Sequence, residues 1–383
     1  MLFLFVLAHF AHHLLTALPV PLIPLIRGDY GLDYTQSGLV VSAFSLSYGI
    51  GQLPAGWLAD RVGAKAMITM GICGVAVAGF LAGLTQTYWL MIGCLILMGL
   101  LAGGYHPAAP PLIAASVEPG RMGRALGLHV IGGSASYFLA PLIGVAIAAA
   151  WGWRASFIGL AGPTIAFGVA FYVLLGRKAI GGQPKKSASE IRAPGSARRV
   201  NRRLVGVIVL SSLASAVIVS TISFIPLFLV DHFGLGQKTA GVLLSVLYSA
   251  GLWAAPLGGY ISDRVGKIRV ILAICGAAGP TIFLLTLAPH WWAVVPLLVL
   301  LGVSLSVRMP VSEAYIVQNT RAANRSTVLG IYYFSAMEGG GVLTPLVGYL
   351  IDRVGFRYAF TATGALLLAV TAVCAFWLWG EKD

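Results

Sequence analysis

Charged side chains are scarce in this chain. Asp, Glu, Lys and Arg make up only 10% of its 383 residues, whereas 58% of the residues are hydrophobic. A water-soluble domain of this length needs a charged surface around its apolar core, so the composition excludes an ordinary soluble protein. Long apolar runs take the place of the missing charge. About twelve of them approach the ~20 residues that cross a bilayer as a helix, six before and six after a basic stretch at 177–203.

Recognisable catalytic and metal-binding motifs are missing as well. The four cysteines lie inside apolar runs and form no CxxC pair, so neither a disulfide framework nor a cysteine metal site is predicted. The sequence has no phosphate-binding P-loop and no HExxH zinc motif, which argues against a membrane-embedded enzyme. A cleavable signal peptide is not predicted, because the first apolar run has no basic start. We expect no enzyme activity, no cofactor and no metal.

The net charge of +13 is distributed unevenly along the chain. If the N-terminus is cytoplasmic, most of the 25 Lys and Arg residues fall in cytoplasmic segments, above all in 177–203. This distribution is the positive-inside bias of membrane proteins, and it explains the basic balance without a nucleic-acid partner. The sequence predicts a multi-pass protein of the bacterial inner membrane, embedded in the lipid bilayer, with both termini in the cytoplasm.

One loop sequence occurs twice. Residues 56–65 read Gly-Trp-Leu-Ala-Asp-Arg-Val-Gly-Ala-Lys, and residues 259–268 read Gly-Tyr-Ile-Ser-Asp-Arg-Val-Gly-Lys-Ile, a shift of 203 positions. The same shift relates Pro107 to Pro310. Because the shift persists outside the loop, it indicates that one membrane-embedded unit is used twice.

The repeat sets the predicted architecture. We expect an all-α integral membrane protein with twelve transmembrane helices, arranged as two pseudo-symmetric six-helix bundles around a central cavity. The bundles are predicted at 1–176 and 204–383, joined by a basic cytoplasmic linker at 177–203. Repeated halves of this kind are typical of transporters that rock two bundles about a central site.

These motifs resemble those of the major facilitator superfamily, and the resemblance covers essentially the whole chain. Residues 56–63 resemble the signature loop of that family, and 119–127 resemble its loop between helices 4 and 5. Three short segments resemble the fosmidomycin-resistance type of drug exporter: Ala-His-His-Leu-Leu at 11–15, Tyr-His-Pro at 105–107 and Gly-Gly-Ser at 132–134. The resemblance implies a secondary active transporter that works by alternating access.

The resemblance also implies what is transported. It favours proton-coupled efflux of a drug or metabolite, with a small molecule and protons as partners and a monomer as the working unit. The alternative is a proton-coupled symporter or exchanger for an organic anion of the carboxylate or phosphonate type, because Arg308 and a stripe of histidines lie at membrane depth. The direction stays open, since the same cycle runs both ways.

Charged residues of the loops are candidates for gating. Asp60 lies where its helix ends, and closing the cytoplasmic side would bring this acid onto the N-terminus of a helix in the other half, which favours negative charge. The alternative is that the loop residues only shape a tight turn beside the lipid headgroups. The gating candidates are Asp60, Arg61, Asp263, Arg264 and Arg124.

Ionisable side chains at membrane depth are costly and are therefore candidates for function. In the first apolar run, His9, His12, His13 and Thr16 fall on one arc of the helix. They could line the cavity, carry protons, or form neutral hydrogen bonds across helices. Metal binding is not favoured, because no Cys or carboxylate joins them in that run.

The second half contributes an arginine and two acids. Arg308, beside Pro310, is predicted to anchor an anionic substrate, because a guanidinium offers fork-like donors to a carboxylate or phosphonate. Glu313 is rotated by about 140° from Arg308 on the helix, so it could couple protons or pair with a loop arginine. Glu338, in the middle of the eleventh run, is the preferred proton-coupling residue. The alternative is that Glu338 pairs permanently with Arg308.

The predicted site therefore combines two sets of residues. The substrate-binding candidates are Arg308, His13, His9, Tyr105, His106, Tyr333 and Gln52. The proton-coupling candidates are Glu338, His12 and Glu313.

Overall fold

The computed structural model describes residues 2–118, 122–177, 202–320 and 325–378. Most of the predicted basic linker, at 178–201, lies outside the described residues, and so do the side chains of Asp60 and Arg124. The predicted domain bounds therefore remain a prediction.

The described residues form thirteen helices and no strand, which confirms the all-α prediction. The helices are α1 Leu2–Thr16, α2 Pro19–Tyr30, α3 Tyr34–Val62, α4 Ala64–Leu84, α5 Tyr88–Ala102, α6 Tyr105–Ala114, α7 Met122–Trp151, α8 Trp153–Arg177, α9 Arg202–Phe233, α10 Gln237–Val265, α11 Lys267–Leu285, α12 Trp291–Asn319 and α13 Arg325–Leu378.

Twelve membrane-crossing spans follow from these helices. Ten stretches of the described chain are long and apolar enough to cross a membrane. One of them, Val328–Leu378, bends at Gly355 and supplies spans 11 and 12. Helix α3, with 29 residues, is span 2. Span 1 consists of α1 and α2, span 4 consists of α5 and α6, and the other helices follow in chain order. The predicted count of twelve is confirmed.

Spans 1 and 4 are interrupted beside candidate site residues. Span 1 changes helix between Thr16 and Pro19, because proline lacks a backbone donor and suits the first turn of a new helix. Span 4 changes helix at Gly103 and Gly104, directly before Tyr105. Both interruptions therefore lie next to polar residues of the N-terminal half, Thr16 in span 1 and Tyr105 in span 4.

The internal repeat is visible in the backbone. The glycines with positive φ form three pairs related by the shift of 203, namely Gly31 with Gly234, Gly63 with Gly266, and Gly152 with Gly355. The middle pair ends the two repeated loops with φ of 92° and 100°, a region that L side chains rarely adopt. The two halves thus share the turns that the repeated sequence predicts.

The two six-span halves meet along two seams. Spans 2 and 11 form one seam, and spans 5 and 8 form the other. Glycines allow the close approach: a Cβ on Gly38 would lie 2.9 Å from the Pro345 Cα, and one on Gly241 would lie 2.9 Å from the Val145 Cγ2. Any motion of one half against the other has to alter these seams.

Candidate substrate, proton and gating sites

Five of the seven histidines gather inside the N-terminal half. They are His9, His12 and His13 on span 1, His106 on span 4 and His129 on span 5. The ring centroids of His9 and His129 are 4.2 Å apart, those of His12 and His13 are 4.7 Å apart, and those of His13 and His106 are 5.4 Å apart. The structure thus unites the predicted histidine stripe with His106.

The hydrogen bonds of two of these rings fix where their protons lie. His9 Nδ1 donates to the His129 carbonyl at 2.8 Å, and His12 Nδ1 donates to the Gly71 carbonyl at 3.1 Å, because a carbonyl can only accept. The Tyr48 hydroxyl lies 3.4 Å from His12 Nε2. Both nitrogens of the fully buried His12 are therefore engaged, which suits a positioning role. Its predicted proton-coupling role stays a prediction.

Tyr105 is buried by packing against two of the histidine rings. Its side chain is fully buried, and its ring stacks on His12 at 4.4 Å and on His9 at 5.5 Å. Glycine makes room for this stack, since a Cβ on Gly71 would lie 3.0 Å from the Tyr105 Cβ. A Cβ on Gly133 would lie 2.6 Å from His9 Cε1, which gives the Gly-Gly-Ser segment a packing role.

Arg308 is held inside the C-terminal half. The residue is only 2% exposed. Its Nη1 donates to the Ser211 carbonyl at 2.7 Å and to the Tyr332 hydroxyl at 3.3 Å, and its Nη2 donates to Ser215 Oγ at 3.0 Å. Its Nε has no hydrogen-bond partner among the described residues. One buried donor of the predicted anion anchor is thus unpaired in the described structure.

Glu338 lies on the seam between spans 2 and 11. Its carboxyl packs directly against Gly49, where an added Cβ would overlap Oε1. That oxygen is buried and has no hydrogen-bond partner in the described structure. Beside it, the Gln52 amide donates to the Met337 Sδ across the seam at 3.3 Å. Arg308 bonds other residues, so the alternative of a permanent Arg308–Glu338 pair is wrong for this structure.

Glu313 and Tyr333 form a separate polar pair in the C-terminal half. The Tyr333 hydroxyl faces the Glu313 carboxyl. The Glu313 Oε1 is buried without a partner among the described residues. The predicted alternative, a bond from Glu313 to a loop arginine, is not present in the described residues.

One end of the molecule is closed across the two halves. This closed end carries the turns after spans 1, 7 and 11. Arg27 pairs with Asp231 at 2.9 Å, and the Tyr34 hydroxyl donates to the same carboxylate at 2.7 Å. Asp352 accepts hydrogen bonds from the backbone N–H groups of Tyr34 and Thr35, each at 2.8 Å. The acid therefore caps the N-terminus of span 2 from the other half.

The opposite end carries the two repeated loops. Here three gating candidates contact residues of their own half: Arg61 lies over the Trp57 ring at 3.7 Å, Arg264 lies over the Tyr260 ring at 4.3 Å, and Asp263 pairs with Lys267 at 3.0 Å. Among the described residues, polar contacts therefore join the two halves at the closed end, whereas these gating candidates make contacts only within their own half.

Comparison with known proteins agrees with this two-half architecture. The family model for the Major Facilitator Superfamily matches residues 5–283 and 207–383. The chain belongs to this superfamily. It is therefore a multi-pass secondary transporter and not an enzyme, and the predicted family and function class are confirmed.

Two relatives from the superfamily illustrate the sequence similarity. Multidrug resistance protein MdtG of Proteus mirabilis (strain HI4320) is 28% identical over 363 residues, which cover 92% of this chain and 89% of the relative. MdtG of Serratia proteamaculans (strain 568) is 28% identical over 370 residues, which cover 94% and 89%.

Solved superfamily structures share the fold. A bacterial homologue of the human lysosomal transporter Spinster, inward-facing and occupied, superimposes with a TM-score of 0.84 at 16% identity, over 98% of this chain and 96% of that one. A POT family transporter in complex with a thioalcohol-conjugated peptide gives 0.82 at 13% identity, over 98% and 95%.

Sequence reasoning missed two functional candidates that the structure places. Asp352 belongs to a third copy of the superfamily loop, Gly-Tyr-Leu-Ile-Asp-Arg-Val-Gly at 348–355, and the shared Asp-Arg-Val-Gly was the available signal. His129 joins the imidazole cluster, and its only signal was a histidine within an apolar run. Neither partner could be identified without the packing of the spans.

Proposed function

We propose that this superfamily transporter exports small, largely apolar drugs or metabolites in exchange for protons. The names of the MdtG relatives support drug export. A half-open apolar cavity of about 430 Å³ on spans 7, 11 and 12 also supports it, because Glu338 lies on its wall beside the exposed Leu213 and Val342. A lipophilic molecule in that cavity would meet a single carboxyl group.

The proposed setting is a bacterial inner membrane, with a monomer as the working unit and both termini in the cytoplasm. The positive-inside bias supports this orientation. The end with the repeated loops then faces the cytoplasm, and the closed end faces outward. In that orientation the described contacts correspond to an inward-open transporter, ready to take its substrate from the cell.

The position of Glu338 is the observation that carries the proton coupling. The Glu338 Oε1 is buried without a hydrogen-bond partner among the described residues, and an ionised carboxylate is costly in that setting, so the seam favours a bound proton. Rocking of the halves changes the contact of spans 2 and 11, so that the carboxyl takes up a proton in the outward-open state and releases it to the cytoplasm in the inward-open state, when the substrate enters. In exchange, the proton enters from outside and the substrate leaves.

Gating in this proposal alternates between the two ends. Asp352 caps span 2 in the present state, and Asp60 would cap the N-terminus of span 11 when the cytoplasmic end closes. The same helix-dipole attraction acts in both cases. The other gating candidates, Arg61, Asp263, Arg264 and Arg124, would change partners in this step.

Drug accumulation in efflux-deficient bacteria tests the proposed function. Cells that express the protein are compared with cells that carry the empty vector, using fosmidomycin, other organic anions and lipophilic dyes. We expect lower accumulation of at least one compound, restored by a protonophore. Higher accumulation would show uptake, and a decrease that the protonophore leaves unchanged would contradict proton coupling.

Transport of an organic anion is the second candidate function, and Arg308 favours it. The free Nε and the fixed Nη donors of this buried guanidinium suit a carboxylate or phosphonate. In this case Arg308→Lys weakens transport of anionic compounds more than that of neutral ones. An equal loss for both classes would assign Arg308 to folding.

A further inference from the structure

Three imidazoles converge at one point of the N-terminal half. His9 and His13 lie one turn apart on span 1, and His106 approaches them from span 4. One ring nitrogen from each lies within 4.8 Å of the other two. His13 Nε2 and His106 Nε2 are 3.3 Å apart. Two nitrogens bound to one tetrahedral zinc ion at about 2.0–2.1 Å would lie about 3.4 Å from each other.

In His9 and His13, a hydrogen bond at Nδ1 leaves the Nε2 atom free to bind a metal ion. His9 Nδ1 donates to the His129 carbonyl at 2.8 Å, so its Nε2 carries a lone pair. His13 Nδ1 contacts the Thr16 hydroxyl oxygen at 3.2 Å, and that hydroxyl donates to the His13 carbonyl. His13 Nδ1 is then the donor, and its Nε2 also carries a lone pair. Metal-binding histidines use this arrangement, with the outer nitrogen bonded to an oxygen.

One of these lone pairs has no partner. His9 is only 6% exposed, and its Nε2 makes no hydrogen bond in the described structure. A buried polar atom without a partner costs free energy, and a cation at the junction of the three rings would satisfy it. This unpaired nitrogen is a second observation, independent of the ring spacing, that points to a ligand.

The junction lies at the border between the N-terminal and the C-terminal half. His106 is half-buried, whereas His9 and His13 lie deeper. The His13 ring contacts Tyr137 at 5.1 Å, and Tyr137 contacts Tyr248 of span 8 at 5.4 Å. The cluster therefore borders the other half, and His106 is the most exposed of its three ligands.

We propose that His9, His13 and His106 bind one divalent first-row transition-metal ion, with water in the fourth position. Imidazole suits zinc, cobalt, nickel and copper, whereas calcium and magnesium prefer oxygen ligands. The expectation of no metal rested on span 1 alone, and the third ligand comes from span 4. The proposal rests on this geometry and is independent of the direction of transport.

Cobalt binding to the purified full-length protein tests the proposal. The protein carries a tag without histidines, is treated with a chelator and is titrated with Co²⁺ in detergent, followed by visible absorption. Zinc affinity is then measured by competition with a coloured chelator. We expect one ion per chain, with absorption bands of a four- or five-coordinate site, and displacement of Co²⁺ by Zn²⁺ but not by Mg²⁺.

Three variants locate the ion. His106→Gln changes the half-buried ligand and is expected to weaken zinc binding by ~100-fold or more. His13→Gln should do the same. His290→Gln, the matched control, removes an exposed histidine that stacks on Trp292, and its affinity should equal that of the wild type.

The outcomes separate the proposal from nonspecific binding. Absence of saturable Co²⁺ binding in the monodisperse wild-type protein would overturn the site. Unchanged affinity in monodisperse His106→Gln would overturn it as well, even if His13→Gln fails to fold. Loss of the bands in both ligand variants and their retention in the control would support it.

Discussion

The interiors of the two halves carry opposite chemistry at equivalent positions. The shift of 203 pairs Tyr105 with Arg308, His12 with Ser215, and His129 with Tyr332. In the N-terminal half the tyrosine stacks on imidazoles, at 4.4 Å from the His12 ring and 5.9 Å from the His129 ring. In the C-terminal half the arginine donates hydrogen bonds to the equivalent serine and tyrosine.

The two repeated halves therefore share their backbone turns but not the polar side chains of a binding site. Three pairs of glycines keep the same turns in both halves. The polar interiors have diverged, so that one half offers nitrogen lone pairs and the other offers guanidinium donors. Lone pairs suit a cation, and guanidinium donors suit an anion.

The largest effect is expected from the replacement of Arg308, whose equivalent in the N-terminal half is Tyr105. Arg308→Met removes a buried cation that has no ion-pair partner among the described residues, so we expect transport to fall by about tenfold or more. Stability should change less, because an unpaired charge at this depth is itself costly. Substrate efflux and thermal unfolding in detergent measure the two effects.

Tyr105→Phe is the matched control for that change. The Tyr105 hydroxyl is buried and has no hydrogen-bond partner in the described structure. Its removal should therefore change the free energy of unfolding by less than about 0.5 kcal/mol and leave transport intact. Equal loss of transport in both variants would contradict the functional difference between the halves.

A smaller effect tests the shared backbone. Gly63→Ala and Gly266→Ala each force a side chain into a conformation reserved for glycine, which should lower the free energy of unfolding by about 1–3 kcal/mol. Thermal unfolding measures both. Gly93→Ala is the control, since an added Cβ there meets no atom within 4 Å. A large loss in one repeated loop and none in the other would break the predicted equivalence.

The smallest effect concerns the closed end. Asp352→Asn keeps the shape but removes the charge that caps span 2, which should cost the closed state about 1 kcal/mol, or roughly a fivefold shift toward opening. Asp231→Asn should shift it less, because its ion pair is partly exposed. Pulsed electron paramagnetic resonance between labels on the turns after spans 1 and 7 measures the shift. A larger opening with Asp231→Asn would reverse the assignment of the gate.

The sequence predicts the skeleton of this protein better than its site. Apolar runs and the repeated loop are local signals, and they specify the twelve spans and the two halves. The partners of Arg308 and Glu338 depend on how spans pack, which no local pattern states. Tyr105 is an example. Its position before His106 and Pro107 predicted contact with the substrate, whereas in the structure its ring is fully buried and stacks on His12.

Replacement of Glu338 is the most direct test of proton coupling, because the N-terminal half has Ala135 at the equivalent position and therefore offers no second carboxyl group there. The measurement is drug transport by proteoliposomes with and without an imposed pH gradient. For the wild type, we predict accumulation against the drug gradient when the pH gradient is present. Glu338→Gln should still exchange drug but lose the response to pH, whereas Glu313→Gln should retain it. Gradient-driven accumulation by Glu338→Gln would contradict proton coupling at the seam.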